Sequence, residues 1–304
     1  STTSQLGRGT QMQGTIRSMS QGSFESSTNA LDLAIDGSGF FVVNNGSGNF
    51  YTRAGQFRLN DDGLVQTITG EILQGNQITN GVSSTTTGNI DLAGVQSAPQ
   101  ASTTFEIGVN LDSSSSATTT FNTPITLFNS VGSQILLNSQ FTKVAGSNSW
   151  TYNLSPSDGT ITSGASGTVS FDSSGQLSSI NGALEDQTIV IDYSASNPPA
   201  AEQTLTWDLV DTSGATKGKL TGFAAQSNNN SLVQDGFTTG TLTGLTVNSK
   251  GIISGLFNNG QTDSLFQVIM ADFLAPSGLT RQGQNLFAES AESGQPVLGV
   301  AESG

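Results

Sequence analysis

The stretch Leu31-Asp32-Leu33-Ala34-Ile35-Asp36-Gly37-Ser38-Gly39-Phe40-Phe41-Val42-Val43 limits the folds open to this chain more than any other. Leu31, Leu33 and Ile35 alternate with Asp32, Ala34 and Asp36, the period of two that a strand with one buried face produces. Asp36-Gly37-Ser38-Gly39 breaks the run, since glycine reaches the positive φ of a tight turn without a steric cost. Phe40 to Val43 is apolar at every position, as in a strand covered on both faces. The expected unit is a buried β-hairpin, and a chain built on it is a sheet protein.

The next residues narrow the pattern. Phe50-Tyr51-Thr52-Arg53-Ala54-Gly55-Gln56-Phe57-Arg58-Leu59-Asn60 runs into the turn Asp61-Asp62-Gly63, then Leu64-Val65, then Gly70-Glu71-Ile72-Leu73-Gln74-Gly75. Taken in order, and with Gly22 to Asn29 leading in, these residues resemble the signature segment of the flagellar hook, rod and hook-associated proteins. A second block is similar to the later part of the same family's middle domain. It comprises Val247 to Phe257, Ser264 to Phe273, Gly278 to Ser290 and Ser293 to Gly299.

Between these blocks the pattern is different. Phe105, Ile107, Val109 and Leu111 share one face of an alternating segment. Trp150, Tyr152 and Leu154 form another such set, as do Ile189, Ile191 and Tyr193, and Leu205, Trp207 and Leu209. Turn signals at Ser157-Asp158-Gly159, Ser173-Ser174-Gly175, Asn197-Pro198-Pro199 and Thr212-Ser213-Gly214 separate them. Short strands at this spacing describe a sandwich or barrel. Ser83 to Gly88, Gln96 to Gln100 and Ser227 to Ser231 read as connecting chain, with Ile90, Leu92 and Val95 anchoring a strand between the first two. The expected fold is therefore all-β with two β domains. Residues 1–100 and 226–304 form a discontinuous middle domain, and residues 101–225 form a sandwich or barrel inserted into one of its loops.

Composition bounds the chemistry. The 304 residues include no histidine and no cysteine, which excludes imidazole bases, thiolate nucleophiles, disulfides and the usual soft metal ligands. A formal net charge of −14 opposes binding to nucleic acid or an anionic membrane surface. Phosphate-binding loops and nucleophile elbows are absent from the sequence. Three carboxylate pairs remain to be weighed: Asp32 with Asp36, Asp61 with Asp62, and Glu185 with Asp186. Asp32 and Asp36 fall on the polar side of the alternating segment, Asp61-Asp62-Gly63 is turn chemistry, and Glu185-Asp186 reads as a solvated connection. The Asp-Gly turns lack the ligand spacing of a calcium loop. Phe40 with Phe41 and Trp150 with Tyr152 read as core rather than as sugar platforms. No catalytic residue, cofactor site or metal site is expected.

The resemblance implies a non-enzymatic subunit of a bacterial appendage, a curved helical tube joining rod to filament that works as a universal joint. The long 101–225 insertion favours the hook branch of the family over the rod branch. A secreted β-rich adhesin or carbohydrate-binding module is the reading from another class. Also implied are self-polymerisation of the full-length subunit and contacts with rod, junction and cap proteins. Export through the flagellar type III pathway without a cleaved signal peptide is implied too. Arg53 and Arg58 read by themselves as solvated face charges, and the resemblance makes them candidates for subunit contacts. The family's terminal heptad helices have no counterpart here, so the chain reads as a core piece, monomeric in solution.

Overall fold

The structure is a computed structural model that describes residues 27–301. The part of the lead-in before Ser27, like every expectation placed on residues 1–26, lies outside them. The described chain begins with strands β1 (Phe40–Asn44), β2 (Asn49–Thr52), β3 (Phe57–Leu59), β4 (Val65–Thr67), β5 (Ile72–Thr79) and β6 (Val82–Asn89). Next come β7 (Gln96–Ser97), β8 (Thr104–Asn110), β9 (Thr120–Phe128), β10 (Gln134–Lys143), β11 (Ser149–Pro156) and β12 (Thr160–Ser163). The strands β13 (Ser166–Phe171), β14 (Leu177–Ile180), β15 (Gln187–Asp192), β16 (Gln203–Trp207), β17 (Leu220–Thr221) and β18 (Asn228–Gln234) come after them. Last are β19 (Gly240–Val247), β20 (Ile252–Phe257), β21 (Thr262–Asp272), β22 (Thr280–Gly283), β23 (Leu286–Ala288) and β24 (Val297–Val300), with one 3-10 turn at Pro276–Gly278.

Two compact units result, and the first is discontinuous. It holds the chain through Val95, then Leu242–Leu256, then Thr262 onward, while the second holds Gln96–Thr241 and Phe257–Gln261. The chain thus passes between the units four times rather than over the two connections that a simple insertion supplies. Strand β18, counted with the middle domain by its Asn-rich composition, pairs antiparallel with β8 and belongs to the second unit.

In the first unit β1 is central. It pairs with β2 on one side and with β5 and β21 on the other. Val42 and Val43 are fully buried, and Phe40 and Phe41 nearly so, because cores lie on both sides of the strand. Phe41 and Val43 join Phe57, Leu73, Ile90, Ile253 and Val268 on one face. Phe40 and Val42 join Tyr51, Ile269 and Phe273 on the other. The expected pairing of residues 31–36 with β1 does not form. The turn exists, with Gly37 and Gly39 at φ 91° and 102°, but both edges of β1 are already occupied. Residues 31–36 run extended instead, held by the Leu33 N–H donating to the Gly55 carbonyl at 2.8 Å and by a bridge between Asp32 and Gln56.

The second unit is a sandwich. One sheet has the order β14-β13-β11-β10-β9; the other runs β12-β15-β16-β8-β17, with β18 added on β8. All four alternating sets read from the sequence are buried in its single core. Trp207 sits at the centre, stacked on Phe105 at 5.9 Å and met edge-on by Tyr152 at 5.3 Å.

Candidate functional site

Of the carboxylates weighed from the sequence, Asp32 and Asp186 turn out to be anchors. Asp32 accepts hydrogen bonds from Ser27 Oγ at 2.5 Å and Asn29 Nδ2 at 3.0 Å. Asp36 is exposed nearby, and both line an open groove of about 520 Å³ whose apolar residues include Leu33, Ile35, Phe41, Val247, Val268 and Met270. Asp61 and Asp62 are exposed in their turn, yet the residue that closes it is Asn60, whose Oδ1 accepts from the N–H groups of Asp62 at 3.0 Å and Leu64 at 2.8 Å. Glu185 and Asp186 are exposed in the connection between β14 and β15, as expected, and Asp186 is also an anchor there, its Oδ1 accepting from the N–H groups of Leu209 at 2.8 Å and Val210 at 3.0 Å. Among the described residues no three metal-ligating side chains cluster.

Three further anchors escaped sequence reading because their partners are distant or unremarkable in the chain. Asp235 accepts from Thr103 N–H at 2.7 Å, Thr104 N–H at 3.0 Å and the Thr103 hydroxyl. It is partly desolvated, but these bonds outweigh that cost and hold its carboxyl below the usual range. Glu71 is buried and accepts from the hydroxyls of Thr67 and Thr69. Asn110 donates through Nδ2 to the Ala225 carbonyl at 2.8 Å and accepts from Phe223 N–H at 3.0 Å. Thr-x-Thr-Gly-Glu was the one local signal available.

The two arginines are built into the first unit. Arg53 donates to the Gly37 carbonyl and lies 5.8 Å from the centre of the Phe40 ring, so it clamps the turn ahead of β1. Arg58 donates to the Ile68 carbonyl at 3.3 Å. These side chains, the turns and the filled cores define a scaffold class: rigid β units with anchored loops and no assembled reacting pair among the described residues.

Comparison with known proteins identifies the scaffold. Residues 34–110 match the family model described as the flagellar hook protein FlgE/F/G D1 domain. Residues 100–237 match that of the flagellar basal body protein FlaE D2 domain. The chain belongs to the flagellar hook protein family. It is 28% identical over 294 residues to the flagellar hook protein FlgE of Rhizobium meliloti, covering 93% of this chain and 70% of that protein. With the FlgE of Escherichia coli the identity is 25% over 318 residues, covering 99% and 76%. The crystal structure of the Helicobacter pylori flagellar hook protein FlgE2 shares the fold, with a TM-score of 0.50, 15% identity, and coverage of 90% of this chain and 96% of that one.

Proposed function

We propose that this chain is a structural, non-catalytic subunit of the bacterial flagellar hook, in which identical copies build a curved tube that carries torque from rod to filament. The observation that carries the reading is the order of the two family matches, 34–110 then 100–237, on a discontinuous unit that encloses an inserted one. The second match favours the hook over the rod, whose subunits are expected to lack a large insertion. The discontinuous unit serves as tube wall and the sandwich as the outer domain. Filled cores resist shear within each unit. Weak polar contacts between copies exchange as one side of the bending tube shortens. Rod, junction and cap proteins are the partners at the tube's ends, and the subunit reaches the cell exterior through the flagellar type III pathway. Electron microscopy of cells expressing the subunit tests this: curved tubes containing the chain are expected. Removing residues 96–241 should straighten them, and unchanged curvature would deprive the sandwich of its role.

A further inference from the structure

The outward face of the sheet β14-β13-β11-β10-β9 carries no charge and, apart from apolar positions such as Leu136 and Pro124, is lined by hydroxyl and amide side chains. Antiparallel register places Thr120, Thr142, Thr151 and Thr168 side by side across four strands. One row further along stand Asn122, Gln140, Asn153 and Ser166. On the other side of the threonines come Ser149, Ser170 and Ser179, with the first two hydroxyls 2.9 Å apart. These side chains are exposed or half-buried. The five strands contain one charged residue, Lys143, and it faces the interior, buried, with its ammonium on the Ser147 carbonyl at 2.6 Å and 5.7 Å from the Trp150 ring centre.

The charges of this unit lie elsewhere. It carries eleven carboxylates against three lysines. Glu106 on β8 of the opposite sheet forms an ion cluster with Lys217, Lys219 and Asp208 in the adjoining connections, and most other carboxylates sit in turns such as those at Asp112, Asp172 and Asp211. Two copies of so acidic a unit repel each other wherever those carboxylates approach, and burying any of them costs desolvation. The hydroxyl and amide face is free of both penalties.

We infer that this face is where the sandwich docks a second copy of the same chain. The inference rests on the hook reading and names the surface that makes its exchanging contacts. Rows along a strand repeat about every 6.6–6.8 Å, and neighbouring strands lie about 4.8 Å apart. Each of these three rows presents groups that both donate and accept hydrogen bonds. A partner displaced by one rung therefore meets the same chemistry again, so the contact survives in several registers. Pro124 in the middle of β9 opposes the alternative of adding a strand at that edge of the sheet.

The test incorporates the photo-crosslinker p-benzoylphenylalanine at Asn153, and as a control at exposed Ser213, in cells that assemble the subunit. Illumination is expected to give a covalent dimer of this chain from position 153 and not from position 213. Thr151→Lys and Thr151→Glu, first shown by circular dichroism melts to fold, should each abolish tube curvature, whereas Thr151→Ser should keep it. Tubes that contain the chain but give no dimer at 153, an adduct with a different protein or a glycan, or unchanged curvature in both charged variants would overturn the inference while leaving the hook reading intact. Absence of the chain from any tube would overturn both.

Discussion

Glu71 shows how much a single side chain can decide. Burial opposes its charge, yet the hydroxyls of Thr67 and Thr69 donate to it and hold the carboxyl below the ordinary glutamate value. A lowered folded-state pKa means that the ionised form stabilises the fold. That contribution is complete above the unfolded glutamate pKa and is lost as pH falls through the lower folded value. In urea melts at about pH 7 and about pH 3, Glu71→Gln should show a smaller loss on acidification than the parent chain. Phe41 meets the Phe57 ring edge-on at 5.2 Å inside the first unit's core. Phe41→Ala should cost about 3–5 kcal/mol, measured by the same melts. Gly55 is constrained by contact rather than by conformation, since a Cβ there would lie 1.7 Å from the Leu33 carbonyl oxygen. Gly55→Ala should displace residues 31–36 and cost roughly 1–3 kcal/mol, the usual range for overpacking. None of this contact was readable from the sequence, because Leu33 and Gly55 meet only once the turn at 36–39 and the β1–β2 hairpin between them have formed.

Among the elements, legibility followed burial. Strands with one buried face, such as β8, β11, β15 and β16, alternated visibly and were found where the pattern placed them. Strand β6 was read as connecting chain because Ser83 to Gly88 carries no apolar alternation. It becomes a strand because β5 offers a backbone edge to pair with, closed by the two-residue turn Asn80-Gly81 at φ 51° and 76°. Strand β18 escaped notice for the same reason, its edge partner being β8. The converse also occurs: Ile90 and Leu92 are buried, as expected, but lie outside any strand. Hydrogen exchange should rank the second unit's elements by position. Amides of β10, paired on both sides by β9 and β11, should be the most protected, and those of the sheet-edge strands β12 and β18 the least. Equal exchange in β10 and β12 would contradict the sandwich order.

At the scale of the whole chain, two units with separate cores should unfold separately. Calorimetry is expected to show two transitions, and Trp207→Ala should lower only that of the sandwich. The sequence by itself determined that the protein is all-β, which segments carry a buried face, that imidazole and thiol chemistry are excluded, and which family it resembles. Those properties derive from residue type and from a period of two, both of which are local. Only the tertiary structure decided which strands became neighbours of β1, that residues 31–36 are excluded from its sheet, that the chain passes between the units four times, and that uncharged side chains line up across one face of the sandwich. Each of these depends on backbone pairing between residues far apart in the chain, and backbone hydrogen bonds leave almost no signature in the side chains that flank them.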